Sequence, residues 1–245
     1  MKLLAVIPAR LHSTRLPRKV LRTIAGEPML TRVYAAVAAA GVEVLVATDS
    51  EEVLALCRER GLAARMTSPQ HRSGTERVHE VARSVAADVY LNVQGDEPLA
   101  RPEHIAQLSQ LMLAPDVMVG TLKTPCAERD IANPNAVKVV TDTAGRALYF
   151  SRATVPFDRD RARPAYFKHL GFYAYRKSAL ERFCSLPESL LERSERLEQL
   201  RFLENGIPIH VGETPYDTIG VDTEEDLCGV EQILLRESLL RRTTS

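Results

Sequence analysis

The chain has 245 residues, 45% of them hydrophobic, which is enough apolar material for one large domain or a domain carrying a subdomain. Lys plus Arg and Asp plus Glu number 32 each, so the formal net charge is zero, and bulk charge does not equip the chain to coat nucleic acid or an anionic membrane. Cys57, Cys126, Cys184 and Cys228 are far apart and form no C-x-x-C pair, which argues against a zinc site or disulfide framework and suits reduced thiols in the cytoplasm.

Along the chain, Leu3–Ile7, Val42–Ala47 and Val89–Val93 are short apolar runs without alternation, as expected of strands buried on both faces. The N-terminal MKLLAVIPAR therefore reads as a first strand and not as a signal peptide. No apolar run approaches the roughly 20 residues of a membrane span. Helical patterns lie between the strands. Met29–Ala40 stops at Gly41, Glu51–Arg60 has Ser50 as its cap and Gly61 at its end, and Thr75–Ala87 spaces its apolar residues helically. This alternation predicts an α/β fold with a mostly parallel central sheet flanked by helices.

After residue 115 the pattern changes. Val117–Leu122 reads as a strand, and Ala136–Thr141, Ala147–Arg152 and Phe167–Tyr175 as extended segments, with a hairpin turn at 142–145. This region is expected to be an antiparallel insertion. Glu192–Glu204 reads as one helix ending at Asn205-Gly206, followed by a strand over Ile207–Gly212. Thr223 caps a long last helix with Glu224, Glu225 and Asp226 in its first turn, and the tail RRTTS is expected to fray.

In parallel sheets ligands bind at the carboxyl ends of the strands. The loop after the first run holds Arg10, Arg15, Arg18 and Lys19, with His12, Ser13 and Thr14 among them. Such a cluster suits a triphosphate, whose charges need local matching by planar guanidinium forks and an ammonium. Neither the Walker pattern nor G-x-G-x-x-G occurs, which disfavours a P-loop kinase and a dinucleotide fold. QGDEP at 94–98 places Asp96 and Glu97 at a strand end, and GVDTEEDL at 220–227 brings Asp222. Two remote carboxylates at one sheet edge could hold Mg²⁺, which takes hard oxygen ligands. Alone, each acid equally suits a helix cap or the surface. In HRSGTER, Ser73, Gly74 and Thr75 precede a helix and could bind a phosphate or a base edge, or simply start the helix. FSR at 150–152, KHLGFYAY at 168–175 and LEQLR at 197–201 mix polar and aromatic groups that suit a polyhydroxylated acid, although a lone His169 or Tyr173 equally suits a core.

Taken together, IPARLHSTRLPRK, VATDS, HRSGTER, NVQGDEPL, NPNAVKVV, ALYFSRATVP, KHLGFYAYR, SERLEQLR and GVDTEEDL, in this order from residue 7 to 227, resemble the 3-deoxy-manno-octulosonate (KDO) cytidylyltransferases. The resemblance implies a nucleotide-diphospho-sugar transferase-like fold spanning 1–245 as a single domain. It implies a sugar-binding and dimerisation subdomain at about 133–215, and a cytoplasmic homodimer. CTP, an acidic eight-carbon sugar and Mg²⁺ are the implied ligands, and CMP-KDO for lipopolysaccharide the implied product. By matching position, Arg10, Arg15, Lys19 and Asp96 are implied as catalytic. Arg10, Ser13, Arg15, Lys19, Ser73, Gly74, Thr75, Arg77 and Gln94 are implied to bind nucleotide, and Asp96 and Asp222 metal. Arg152, His169, Tyr173, Glu198 and Gln199 are implied to line the sugar site. Arg18 stands where the family often has glycine. The residues leave other readings open: transfer to 8-amino-KDO or a nonulosonic acid, or a nucleotide-binding protein without turnover.

Overall fold

The computed structural model describes residues 1–11 and 15–243. Ser13, one of the expected nucleotide ligands, lies outside the described residues. In chain order the elements are β1 (Leu3–Pro8), β2 (Thr23–Ile24), β3 (Glu27–Pro28), α1 (Met29–Ala38), β4 (Glu43–Thr48), α2 (Glu51–Glu59), β5 (Ala64–Met66) and α3 (Gly74–Ser84). Then follow β6 (Val89–Asn92), α4 (Pro102–Leu111), β7 (Val119–Pro125), α5 (Glu128–Ile131), β8 (Lys138–Thr141), β9 (Ala147–Ser151) and β10 (Phe167–Tyr175). The chain continues through α6 (Lys177–Ser185), α7 (Leu190–Glu195), α8 (Leu200–Glu204), β11 (His210–Glu213) and α9 (Glu224–Thr243). The fold is mixed α/β, with a mostly parallel central sheet flanked by helices and a smaller antiparallel part, as the strand–helix alternation predicts. The contacts divide into two compact units.

The first unit comprises Leu3–Ala86, Asn92–Glu103 and Thr218–Ser245. In it β1 pairs parallel with β4, and β4 with β5. Leu4, Ala5, Val6 and Ile7 are buried, which explains why β1 is apolar without alternation. The caps fall where the sequence puts them. Ser50 Oγ accepts the Val53 N–H at 3.4 Å, and Ser73 Oγ accepts the Glu76 N–H at 3.2 Å. Thr223 Oγ1 accepts the Asp226 N–H at 3.1 Å while the Asp226 carboxylate accepts the Thr223 N–H at 2.9 Å, so α9 begins on reciprocal bonds. The start of α9 is fixed by packing as well: Val221, Leu227 and Val230 form a cluster with Leu16, Ile24, Met29 and Leu99. Removing these side chains from water is what draws a segment near residue 220 onto the loop that follows β1.

The second unit comprises Met1–Lys2, Ala87–Leu91 and His104–Asp217. Here β7 pairs parallel with β11 and antiparallel with β10, and β8 joins β10 and β9 antiparallel. The turn at 142–145 forms as expected, with Asp142 Oδ1 accepting the N–H groups of Ala144 and Arg146 at 2.9 and 2.8 Å, and Gly145 at φ 76°. The expected single helix over Glu192–Glu204 is broken. Arg196 closes α7 in the left-handed region at φ 53°, and α8 starts again at Leu200. The break is held by a buried, two-pronged ion pair in which Arg201 Nε and Nη2 meet the Glu192 carboxylate at 2.7 and 2.5 Å. The expected strand over Ala136–Thr141 is shorter, beginning at Lys138, because the Lys138 ammonium turns back to the carbonyls of Asn133 and Ala136.

Candidate active site

Within the first unit, the loop after β1, the loop after β6, the start of α3 and the segment before α9 enclose a cavity of about 490 Å³. Its walls carry Arg10, Arg15, Lys19, Arg77, Asp96 and Asp222 among others. Two glycines permit the close approaches. A Cβ on Gly95 would lie 3.2 Å from the Pro8 carbonyl oxygen, and one on Gly74 would lie 3.0 Å from Gln94 Nε2.

The acids expected to meet do meet. Lys19 Nζ donates to Asp96 Oδ2 at 2.5 Å and to Asp222 Oδ1 at 2.8 Å. Arg15 Nη2 donates to Asp222 Oδ2 at 2.7 Å. A main-chain bond ties the two acid-bearing loops together, with the Val221 N–H donating to the Asp96 carbonyl at 2.9 Å. Burial lowers the pKa of Lys19, but the charges and hydrogen bonds of Asp96 and Asp222 outweigh it and hold the ammonium above its ordinary value. For Asp222, burial favours the neutral acid, yet Lys19 and then Arg15 prevail and the carboxyl sits below the usual range. At neutral pH Lys19 is therefore held as an ammonium and Asp222 as a carboxylate. Arg18, on the same loop, has φ 57°, in the left-handed region that favours glycine. Its guanidinium pairs with Glu52.

The remaining expected nucleotide ligands divide. Arg10, Ser73, Gly74 and Gln94 line the cavity, and Gln94 Nε2 donates to Asn92 Oδ1 at 3.1 Å. Arg77 reaches the wall but is buried, its Nη2 bound to Asp49 Oδ2 at 2.8 Å and its Nη1 to the Thr67 hydroxyl. It braces the wall from behind. Thr75 is fully buried on the inner face of α3 and is not among the wall residues. Among the wall residues not expected as ligands are His71 and Arg72. His71 is held by Glu80, whose carboxylate also accepts the Ser68 N–H at 2.9 Å.

The expected sugar ligands all lie in the second unit. His169 Nε2 is 3.0 Å from Thr121 Oγ1, and its ring stands edge-on to Phe150 at 4.9 Å and tilted to Tyr173 at 5.4 Å. A register shift between Leu170 and Tyr173 interrupts the β10–β7 ladder beside these rings. Burial, and then the nearby Tyr175 and Glu198, push the Tyr173 phenol well above its ordinary value. Glu198 and Gln199 occupy the turn between α7 and α8. Gln199 is almost fully buried and its Nε2 has no partner among the described residues, an orphan donor that a hydroxylated ligand would satisfy. Arg152 differs from the others, because its guanidinium is spread over backbone carbonyls, Glu195 at 2.7 Å, Pro134 at 3.0 Å and Arg196 at 3.4 Å. It links the chain before α7 to the turn presenting Glu198.

Burial lowers the His169 pKa to about 3, well below the roughly 6.5 of a free histidine. An unfolded chain therefore takes up a proton that the folded one refuses. Stability is full above about pH 6.5 and is lost as pH falls toward 3, by up to about 1.4 kcal/mol per unit. Urea titrations from pH 7 to 4.5 should show His169→Gln flattening this slope. An unchanged slope would place the proton elsewhere.

Among the described residues no group of three or more His, Cys, Asp or Glu gathers as a metal cage. Asp96 and Asp222 do fit a cation, since both already close on one ammonium. With only two carboxylates from the protein, an ion such as Mg²⁺ would complete its shell with water and substrate phosphate oxygens.

The family model described as cytidylyltransferase matches residues 4–212. A 3-deoxy-manno-octulosonate cytidylyltransferase of Koribacter versatilis is 70% identical, covering 95% of this chain and 90% of its own. One from Acidobacterium capsulatum is 61% identical, covering 96% and 97%. A solved structure of CMP:2-keto-3-deoxy-manno-octonic acid synthetase complexed with CTP superposes with a TM-score of 0.93 at 44% identity, covering 97% of this chain and 100% of that one. A cytidylyltransferase from Leptospira borgpetersenii, 18% identical with a TM-score of 0.60, shares the fold.

Proposed function

The chain belongs to the 3-deoxy-manno-octulosonate cytidylyltransferase family, and from that premise we propose that it joins KDO to the CMP moiety of CTP with release of pyrophosphate. The observation that carries the chemistry is the convergence of Asp96 and Asp222 on Lys19, within a cavity also lined by Arg10 and Arg15.

The anomeric hydroxyl of the sugar acid attacks the α-phosphorus of CTP in line, the bond to the β-phosphate oxygen breaks, and the hydroxyl proton passes to solvent. Among the described residues no protein base stands out for that proton, because both Asp222 oxygens and one of Asp96 are occupied by cations. Catalysis is then chiefly positioning and charge neutralisation. Arg10, Arg15 and Lys19 take charge from the departing pyrophosphate. Asp96 and Asp222 would hold Mg²⁺, which when bound would supply Lewis-acid neutralisation at the phosphate and lower the pKa of a bound hydroxyl. For this, Lys19 and Arg15 must release carboxylate oxygens as the phosphates arrive, so the ion pairs are exchanged and the cations are not left bare.

The polar and aromatic group at His169, Tyr173, Glu198 and Gln199 is assigned to the sugar, supported by the unpartnered Gln199 amide. Arg152 is assigned with it, acting through its hold on the carbonyls of Glu195 and Arg196. A homodimer pairing through the region 133–215 is supported by the exposed apolar side chains Leu148, Phe157 and Leu190. The product serves lipopolysaccharide synthesis, with the reaction in the cytoplasm where CTP is made. Among the described residues no helix is long and apolar enough to cross a membrane.

Pyrophosphate release, measured with CTP, Mg²⁺ and in turn KDO, 8-amino-KDO and a nonulosonic acid, tests the reading. KDO is expected to give the highest kcat/KM. A higher value for another acid would reassign the acceptor, and no release with any of them would remove the activity. Sedimentation of the same preparation reads the dimer.

A further inference from the structure

The cations of the cavity are unequally committed. Lys19, Arg15 and Arg77 each hold a carboxylate oxygen at 2.5 to 2.8 Å. Arg72 does not. Its Nε stands 3.8 Å from Glu76 Oε1, and its side chain is 85% exposed although it lines the same cavity. A surface pair of that kind is worth only about 0–1 kcal/mol, so the guanidinium can leave it at little cost. The root of the side chain, by contrast, is fixed. The Arg72 N–H donates to Glu76 Oε2 at 2.7 Å, and the next residue, Ser73, caps α3. A planar fork thus stands on a fixed base at the rim of a cavity in which Lys19, Arg15 and Arg77 are each already held by an acid.

We propose that Arg72 is a further nucleotide-binding residue, whose guanidinium moves from Glu76 onto phosphate oxygens of CTP. The assignment rests on reading this cavity as the CTP site. A fork of this type suits two phosphate oxygens, and it adds charge that the Lys19 and Arg15 pairs do not supply until they are exchanged. Because Arg72 stands at the rim, it holds ground state and transition state alike. Its loss therefore weakens CTP binding and leaves the chemical step unchanged.

Calorimetric titration of the full chain with CTP, CMP and cytidine, in Mg²⁺ and without acceptor sugar, decides the matter for wild type, Arg72→Gln and Arg72→Lys. Arg72→Gln should weaken CTP about 3- to 10-fold at low ionic strength, leave cytidine within about twofold, and lose its effect as salt is raised. Arg72→Lys should recover part of the loss, and KM for CTP should rise in parallel with kcat unchanged. Equal CTP affinity in wild type and Arg72→Gln would overturn the proposal, as would an equal loss for cytidine. Failure of wild type to bind CTP would overturn the reading of the cavity itself, and that outcome needs no variant to recognise.

Discussion

Asp96→Asn should lower kcat by about a thousandfold at saturating CTP while the protein remains folded. The substitution keeps the shape of the side chain and removes one charge. Lys19 would still have Asp222 at 2.8 Å, so its half-buried ammonium stays compensated and the loops stay joined through the Val221 N–H and the Asp96 carbonyl. What disappears is one of the two carboxylates proposed to hold a divalent ion, and an amide oxygen is a far weaker ligand for Mg²⁺. Two readouts check this. Single-turnover rates should fall with the melting temperature nearly unchanged, and the Mg²⁺ concentration giving half-maximal rate should rise. A variant that keeps a tenth of wild-type turnover at ordinary Mg²⁺ would remove Asp96 from the metal site.

Lys19→Met is the second large effect, expected to cost on the order of 10²-fold in turnover. Its physical signature differs. Without the ammonium, Asp96 and Asp222 lose the cation they share, Asp222 keeping Arg15, and the repulsion between the two carboxylates destabilises the loops. A divalent cation would relieve that repulsion. The melting temperature of Lys19→Met should accordingly climb with added Mg²⁺ more steeply than that of wild type, although turnover does not recover. Near-normal turnover at saturating CTP would contradict the role given to Lys19. A melting temperature insensitive to Mg²⁺ would contradict the shared use of the two acids by ammonium and metal.

Much of this site was readable in the residues themselves. Leu4–Ile7 is apolar on both faces because both faces are buried, and that alone placed the basic loop at a strand end. Ser50, Ser73 and Thr223 announced their helices by side-chain chemistry. The meeting of Asp96 with Asp222 followed from placing both at the edge of one sheet. Other features depend on tertiary contacts that no local pattern carries. The break at Arg196 lies inside a stretch of good helix formers and is imposed by the Glu192–Arg201 pair across it. Some signals were present and passed over. Pro102 stands at the first position of α4, with Ile105, Leu108 and Met112 following at helical spacing. Thr75 stands three residues before Val78 and six before Val81, on the apolar stripe of α3, which already marked it as a buried residue. His71 and Arg72 look like any solvated pair, and only the fold shows that they edge a cavity.

The hydrogen bond from the Val221 N–H to the Asp96 carbonyl has a consequence for biosynthesis on the ribosome. Asp222 is delivered to its partner by a segment translated more than a hundred residues after Asp96, and that segment is seated by Val221, Leu227 and Val230 in an apolar cluster. A nascent or prematurely terminated chain lacking these residues has a basic loop and one acid but no paired carboxylates. On the proposed role of the two acids, competence for transfer is acquired in a late event, when the last helix docks.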